Sequence, residues 1–476
     1  MMTTFFEIIK SKKALYGIVL ILLLLPTYFI HTKVYPDWGD DFAQYIYQGQ
    51  QIHSPSPVYK QVFNLDGYSS PKRSVFFSIV LSVIEPTIVI QSYVNITSVF
   101  YIIAGLCFFL FLSRHFSLPI CFGASLSLFY NFLVLRLKSE VVPEFLFISL
   151  FCFILYLTYS KKAWIKYLIP VLLGLLVSVR FVGLSLLMAY IVSLMLSKED
   201  HIRQKIKKMI GCLVLFSIVV IFINRFFISV INNGEVNLYG NIVRHGYQWH
   251  MLKDNVSIYA RYILYFFEQE IPLWINVIIT LGVLLFFAAG FMNSTKNRFN
   301  ILHFTFIFYF LFLFFYPYNS DTIKYLIPTL PLFFYFMICG AEFVFQKVSP
   351  KYKQSFVLAG IVIILMSNSK TVWLAQHYQD TKVGPYNAGV LNDFKRVKQL
   401  VAHDQSIASG KPFVINLLCD RHSYFLNEKN QREVFSKADY FLSPKPTIEE
   451  LYPKNKNIFV SKGDTISLTH FYLIKL

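Results

Sequence analysis

The sequence predicts an α-helical polytopic membrane protein with about eleven transmembrane helices and a small C-terminal α/β domain outside the membrane. Of its 476 residues, 55% are hydrophobic and only 15% are charged. Much of the chain consists of apolar stretches of about 17–25 residues, each long enough to cross ~30 Å of hydrocarbon as a helix. After residue 370 the apolar runs shorten and alternate with polar segments, which is typical of strands and short helices.

The apolar stretches can be read in order along the first 370 residues. The first follows a basic flank and no small-residue cleavage site comes after it, so we expect an uncleaved helix with its N-terminus inside. Helices are predicted near residues 14–32, 88–112, 118–135, 142–159, 164–179, 181–197, 209–230, 271–291, 301–316, 325–346 and 354–370.

Short basic connections give the predicted orientation. With the N-terminus inside, every second connection is short and basic, as the positive-inside rule requires of cytoplasmic loops. The segment 33–87, the loop 231–270 and everything after residue 370 then face outward. We expect a membrane domain over 1–370, whose outer loop 33–87 carries interfacial helices, and a soluble α/β outer domain over 371–476.

Composition and spacing also exclude several classes of site. The net charge of +18 resides mostly in the loops, where it meets anionic lipid, so we expect membrane lipids and no nucleic acid as partners. The cysteines show no CxxC spacing, and His245 with His250 does not make a metal site. No Gly-rich phosphate loop or Ser-His-Asp grouping appears.

Adjacent acids follow the first predicted helix, in "YPDWGDDF" over residues 35–42. Asp40 and Asp41 lie close to low-dielectric hydrocarbon, where the ionisation of one carboxylate is perturbed by the other. A partly desolvated acid within reach of a hydroxyl can act as a general base. The alternative is that these acids only solvate an outer loop.

Four stretches in order resemble motifs of a known family. They are "PDWGDDFAQYIYQGQQI" (36–52), "VVPEFLFISLFCFILYL" (141–157), "VSVRFVGLSLL" (177–187) and "IKYLIPTLPLFFYF" (323–336). Together they resemble the C-type glycosyltransferases, in particular the protein mannosyltransferase and aminoarabinose transferase group of glycosyltransferase family 39. The sequence departs from the usual pattern twice: Asp41 stands where Glu is commoner, and Lys324 where Arg is usual.

The resemblance implies an integral-membrane enzyme that transfers a sugar from a polyprenyl-phosphate donor to an acceptor outside the membrane. It implies a role in glycan biosynthesis of the cell envelope and a place in a bacterial inner membrane, with the active site on the periplasmic face. Asp40 is the expected base, with Asp41 orienting it or the acceptor. The acceptor, whether glycan, lipid or protein, stays open. We expect no required cofactor; a divalent metal is compatible with the chemistry, but no spacing indicates one.

Four basic residues are expected to bind the carrier phosphate: Lys72, Arg73, Arg180 and Lys324. Cations are needed there to hold the phosphate and stabilise it as it leaves. Lys72 and Arg73 could instead contact lipid headgroups. Arg180 lies among apolar residues, where a charge is costly and usually functional.

Further residues are predicted to line the cavity. Glu144 either caps its helix or faces the cavity, and Tyr325 follows Lys324 directly. Arg244 and His245 belong to "RHGYQWH", which suits sugar binding but is also an ordinary interfacial aromatic belt.

Two other functions remain open from the sequence. A transporter or lipid flippase would also have about a dozen spans and buried cations, but transporters usually bind near the membrane midplane between repeats. An O-antigen-type polymerase would use residues 231–270 as its outer loop. Convergence of Asp40, Arg180 and Lys324 around one outward pocket would distinguish the transferase from the transporter.

Overall fold

The computed structural model describes residues 12–30, 40–53, 75–85, 89–197, 201–231, 249–265, 273–295, 300–315, 323–348, 351–352, 354–365, 384–426, 431–445 and 465–476. Before residue 366 the regular structure in these ranges is helical. The helices are α1 (Lys12–Leu24), α2 (Asp40–His53), α3 (Val75–Leu81), α4 (Ile90–Leu112), α5 (Leu118–Phe129), α6 (Phe132–Lys138), α7 (Glu144–Thr158), α8 (Ile165–Val179), α9 (Leu184–Leu196), α10 (Ile202–Ile231), α11 (Trp249–Tyr265), α12 (Leu273–Thr295), α13 (Ile301–Phe314), α14 (Leu330–Val348) and α15 (Gln354–Leu365).

Each predicted window corresponds to an apolar helix or helix pair in the described residues. Within the described ranges, five helices are long and apolar enough to cross a membrane, and α5 with α6 makes a sixth candidate that is bent by 63°. The other windows form shorter helices of 10–17 residues, which are below the ~20 residues that a perpendicular span needs. The α-helical membrane fold is confirmed, with some of its helices shorter than a perpendicular span.

The bend between α5 and α6 has a local cause. Asn131 adopts an extended backbone and its side chain accepts a hydrogen bond from the Leu133 amide at 3.0 Å, so it caps α6. Asparagine favours this position because its short side chain satisfies an amide at the helix start that has no partner in the helix. The window 118–135 was predicted as one helix, but this cap divides it.

Close helix packing in the second half of the membrane region depends on two glycines. A Cβ placed on Gly290 of α12 would overlap the carbonyl oxygen of Phe336, and one on Gly340 of α14 would overlap that of Phe286. Without side chains at these positions the two backbones approach directly, which increases van der Waals contact between membrane helices. Helices α4 and α7, and helices α9 and α13, also pack against each other.

Helix α2 lies within the segment 33–87, where interfacial helices are expected. Its polar residues Gln44, Gln48 and Gln51 are buried. The Ser78 hydroxyl of α3 donates to Gln48 Oε1 at 2.9 Å, and Gln50 donates to the Tyr93 hydroxyl of α4 at 3.2 Å. Neighbouring elements therefore cover α2 on several sides, and its place at the membrane surface stays a prediction.

The C-terminal region forms a five-stranded sheet, as the alternation of short apolar and polar runs predicts. The strands lie in the order β2-β1-β3-β5-β4; β1 pairs in parallel with β2 and β3, whereas β5 pairs antiparallel with β3 and β4. The elements are α16 (Ala388–Leu400), β1 (Ser406–Ser409), α17 (Pro412–Cys419), β2 (His422–Phe425), α18 (Gln431–Phe435), β3 (Tyr440–Pro444), β4 (Thr465–Ser467) and β5 (Phe471–Lys475). Residues 366–383 lie outside the described ranges, so the domain boundary at 370 stays a prediction.

The sheet region is attached to the membrane region through α2. Helix α17 packs against α2, and the rings of Phe42 and Tyr386 lie 6.0 Å apart. Burial raises the pKa of the Tyr386 phenol, so it stays neutral and acts as a packing residue. One hydrophobic core continues from the membrane helices into the C-terminal region, where it includes Val390 and Phe394 of α16.

Candidate active site

Arg180 and Glu144 form the more buried of two ion pairs in the predicted site. Arg180 is the C-terminal cap of α8 and has an extended backbone (φ −148°), which ends the helix and directs the chain into a short 3₁₀ turn. Its guanidinium pairs with the carboxylate of Glu144, in the first turn of α7. Glu144 is fully buried, and the Arg180 side chain is 10% exposed. The carboxylate thus compensates a cation that would otherwise be costly to bury.

Lys324 and Asp41 form the second ion pair, nearer to the surface. Asp41 lies in the first turn of α2, and Lys324 in a 3₁₀ turn that precedes α14. Their side chains are 26% and 17% exposed, respectively. This pair joins the acidic segment after the first helix to the "IKYLIP" segment, two of the sequence motifs from which the resemblance was recognised.

Tyr325 connects the two ion pairs. The Arg180 guanidinium carbon lies 4.8 Å from the centre of the Tyr325 ring, and Lys324 Nζ lies 5.6 Å from it, which are cation–π distances. The Tyr309 hydroxyl of α13 donates to the Tyr325 carbonyl at 3.0 Å and so holds the turn in place. We call Asp41, Lys324, Tyr325, Arg180 and Glu144 the ion-pair cluster.

Polar atoms of the cluster remain without partners. Among the described residues, Glu144 Oε2 and Arg180 Nε are buried and make no hydrogen bond. Buried polar groups are rarely left unpaired, so such atoms mark a place where water or a ligand completes the arrangement. One of these atoms accepts and the other donates, so a group that does both can satisfy them.

The structure therefore brings together Asp41, Glu144, Arg180, Lys324 and Tyr325 among the predicted site residues. Glu144 lies in the first turn of α7 and pairs with Arg180 of the cluster, so both roles considered for it stay predictions. Asp40 begins α2, but its side chain is outside the described part of the structure. The remaining predicted residues, Lys72, Arg73, Arg244 and His245, lie outside the described ranges.

Sequence reasoning missed other polar residues near the cluster. Tyr45 is buried and interacts electrostatically with the charged groups of the cluster. Gln44 and Gln48 are buried on the same helix. The sequence spacing could have indicated them, since positions 41, 44, 45 and 48 lie on one side of a helix.

A further buried cation, Lys138 at the end of α6, was also missed. Its side chain is fully buried, and its ammonium lies 3.5 Å from the Ser98 hydroxyl. For metals, no cluster of three or more His, Cys, Asp or Glu side chains occurs in the part of the chain that the structure describes.

Comparison with solved structures identifies the fold. The chain is similar to ArnT from Cupriavidus metallidurans bound to undecaprenyl phosphate, with a TM-score of 0.61, 9% identity, and coverage of 96% of this chain and 97% of that one. The chain has the C-type glycosyltransferase fold. The apo state of the same protein gives a TM-score of 0.58 at 10% identity, with 98% of both chains covered.

The C-type glycosyltransferase fold also relates the chain to a larger protein. Archaeal oligosaccharyltransferase AglB from Archaeoglobus fulgidus, in complex with an inhibitory peptide and a dolichol-phosphate, gives a TM-score of 0.55 at 10% identity. That alignment covers 93% of this chain and 70% of AglB. No protein-family model and no curated protein sequence matches the chain. At such identities the comparisons establish the fold, and the residues of the site must carry the function.

Within this fold the cluster has the groups that a transfer reaction from a phosphate requires. It holds two cations, which can bind and stabilise an anionic leaving group, and two carboxylates, which can accept protons or orient cations. In the structure the charges compensate one another pairwise. An arriving anion would therefore compete with Asp41 for Lys324, the more exposed of the two cations.

Proposed function

We propose that the chain is an integral-membrane glycosyltransferase that moves a sugar from a polyprenyl-phosphate carrier to an acceptor on the outer face of the membrane. The convergence of Asp41, Lys324, Arg180 and Glu144, from four separate parts of the sequence, carries the proposal. The shared fold supports it, since ArnT and AglB have been solved with undecaprenyl phosphate and with a dolichol-phosphate.

The carrier phosphate would bind on the Lys324 side of the cluster. Lys324 is partly exposed and can exchange the Asp41 carboxylate for a phosphate oxygen, whereas Arg180 is held by Glu144 and presents its remaining N–H group. Charge-assisted hydrogen bonds to phosphate are stronger than neutral ones, which favours this exchange. Lys72 and Arg73 stay in the proposal as further ligands of the same phosphate, and Arg244 and His245 as residues that line the sugar or acceptor cavity.

The reaction would be a single displacement with proton transfer. The acceptor oxygen or nitrogen forms a bond to the anomeric carbon of the sugar, the bond from that carbon to the phosphate oxygen breaks, and its electron pair leaves with the phosphate. The acceptor proton passes to an aspartate of α2. We assign this role to Asp40, which corresponds to the first acid of the motif that the segment 36–52 resembles. Asp41 would then orient Asp40 or the bound acceptor.

The transporter alternative is less well supported. Transporters commonly bind substrate at the membrane midplane between repeated halves. Here the charged residues gather where α2 begins, α8 ends and α14 is about to begin. These are helix ends that the positive-inside rule assigns to the outer side. Orientation can be tested by attaching an impermeant thiol reagent to cysteine at Ser54 and at Lys161, of which only the first should react from outside.

The direct test uses purified protein in nanodiscs and radiolabelled polyprenyl-phosphate sugars. Asp40→Asn keeps the side-chain size but removes the proton-accepting oxygen, so sugar transfer should fall by a factor of about 10² or more while carrier binding stays near that of the parent. Asp41→Asn should reduce transfer less. Parental transfer rates in both variants would overturn the proposal, and loss in Asp41→Asn alone would move the base to the next residue.

A further inference from the structure

Two glutamines of α2 have buried amide nitrogens without partners. Gln44 is 3% exposed and Gln48 is fully buried, and the Nε2 atom of each makes no hydrogen bond within the described residues. The Gln48 oxygen accepts from the Ser78 hydroxyl, so its nitrogen alone lacks a partner. Leucine or methionine would fill such positions without an unpaired donor. The presence of two such amides therefore indicates that a ligand or water supplies hydrogen-bond acceptors for them.

The positions of these amides relate them to the ion-pair cluster. Gln44 follows Asp41 by three residues and Gln48 follows Gln44 by four, so the three side chains project from one side of α2. Tyr45, next to Gln44, interacts electrostatically with Asp41, Lys324, Arg180 and Glu144. By this spacing the unpaired amides lie along the side of α2 that carries Asp41 of the cluster.

The chemistry of the unpaired atoms indicates the kind of ligand. Gln44 Nε2, Gln48 Nε2 and Arg180 Nε could each donate a hydrogen bond to a ligand, and Glu144 Oε2 could accept one from it. Sugar hydroxyls do both. Among the described residues, the two ion pairs of the cluster carry no net charge and the amides add none, so this part of the site offers a charged sugar no excess of opposite charge. An ammonium group, which only donates, would also face the amide donors.

We propose that Gln44 and Gln48 bind the ring-substituent oxygens of the transferred sugar, and that this sugar is uncharged. The inference rests on the proposed function and deepens it by assigning a sugar subsite and a substrate class. A site built to hydrogen-bond a sugar discriminates strongly, because a sugar without the matching oxygens leaves these donors buried and unpaired.

The test compares binding of defined donors to the full-length protein in nanodiscs. The uncharged probes are glucosyl, mannosyl and N-acetylglucosaminyl polyprenyl phosphates; the charged probes carry aminoarabinose or glucuronic acid, and unmodified polyprenyl phosphate is the reference. Gln44→Leu and Gln48→Leu should each weaken binding of the best uncharged donor about three- to tenfold, as expected for one lost hydrogen bond, and leave binding of the reference unchanged. The matched control is Gln91→Leu, an exposed glutamine on α4.

A second variant reverses the chemistry at one position. Gln44→Glu replaces the amide donor by an acceptor of the same size, so it should improve binding of the aminoarabinosyl donor relative to the uncharged ones. The sugar subsite is overturned if both leucine variants bind the donors as tightly as the parent protein does. It is also overturned if the parent protein binds a charged donor most tightly. In either case the proposed function stands. A parent that binds neither polyprenyl phosphate nor any donor would overturn the proposed function, and this inference with it.

Discussion

Lys324 and Asp41, 283 residues apart in the sequence, form an ion pair that joins the first turn of α2 to the turn before α14. Both side chains are partly exposed, so the pair can open at modest cost when another anion arrives. The pair thus places the cation that we propose binds phosphate beside the segment that we propose accepts a proton.

The first prediction concerns the cation of this pair. Lys324→Met should weaken binding of polyprenyl phosphate by about 10- to 100-fold, since it removes a charge-assisted hydrogen bond that is typically worth ~1.5–3 kcal/mol. Lys324→Arg should retain most of the affinity. Lys166→Met, at an exposed position of α8, is the control and should bind like the parent. Affinity that is the same in all three variants would exclude Lys324 from the phosphate site.

A second prediction separates stability from binding at the buried pair. Arg180→Met leaves the Glu144 carboxylate buried without compensation and should destabilise the protein by about 3–5 kcal/mol, measured by thermal unfolding in detergent. Adding Glu144→Gln should restore most of the stability, because no buried charge remains. The double variant should still bind polyprenyl phosphate less tightly than the parent. A double variant as unstable as Arg180→Met alone would show that the two residues are not coupled.

The contact between α12 and α14 gives a third prediction. Gly290→Ala places a methyl group against the Phe336 carbonyl, so the helices must separate and the melting temperature should fall, at a cost of about 1–3 kcal/mol. Gly282→Ala lies on the same helix but has open space around it, and should leave the melting temperature unchanged or raise it slightly. Equal effects of the two substitutions would contradict the close backbone approach.

A fourth prediction concerns the pH dependence of the C-terminal region. Burial alone would raise the pKa of Asp393, but hydrogen bonds from the backbone amides of His470 (2.7 Å) and Thr469 (3.0 Å) outweigh it and lower that pKa. Because the folded pKa lies below the unfolded one, the stabilisation is complete above the unfolded pKa and is lost as the pH falls through the folded pKa. Asp393→Asn should therefore reduce the melting temperature at neutral pH and flatten its decline in acid.

The control for this experiment is Asp404→Asn, at an exposed position just before β1. It should follow the parental curve from neutral to acidic pH. If Asp393→Asn also followed that curve, the hydrogen bonds to the turn at residues 469 and 470 would contribute nothing to stability.

Much of the membrane fold could be predicted from the sequence because hydropathy reports a local property. In a membrane the backbone must satisfy its own hydrogen bonds, so an apolar segment forms a helix. The predicted positions of the helices are therefore correct even where the helices are short. The cap at Asn131 was also local, yet a single asparagine within an apolar run is a weak signal. The resulting division of the window 118–135 was therefore not foreseen.

The site was predictable in its residue types but not in its pairings. Charges at helix ends identified Arg180 and Lys324, since ionisable groups in a membrane protein are costly and usually functional. Which carboxylate each would face depends on how distant helices pack, and no spacing encodes that. The burial of Gln44 and Gln48 was missed for the same reason: amphipathic spacing shows that a helix has two sides, but not which elements will cover them.

The contact between α17 and α2 joins two helices that are made at different times, because most of the membrane helices lie between them in the sequence. Helix α2 emerges early, whereas the residues that cover it, including Tyr386 and those of α17, are made only after the membrane helices. During synthesis α2 therefore exists without these neighbours until the C-terminal region is made. A ribosome that stalls before residue 412 would leave an inserted chain in which α2 lacks its packing against α17.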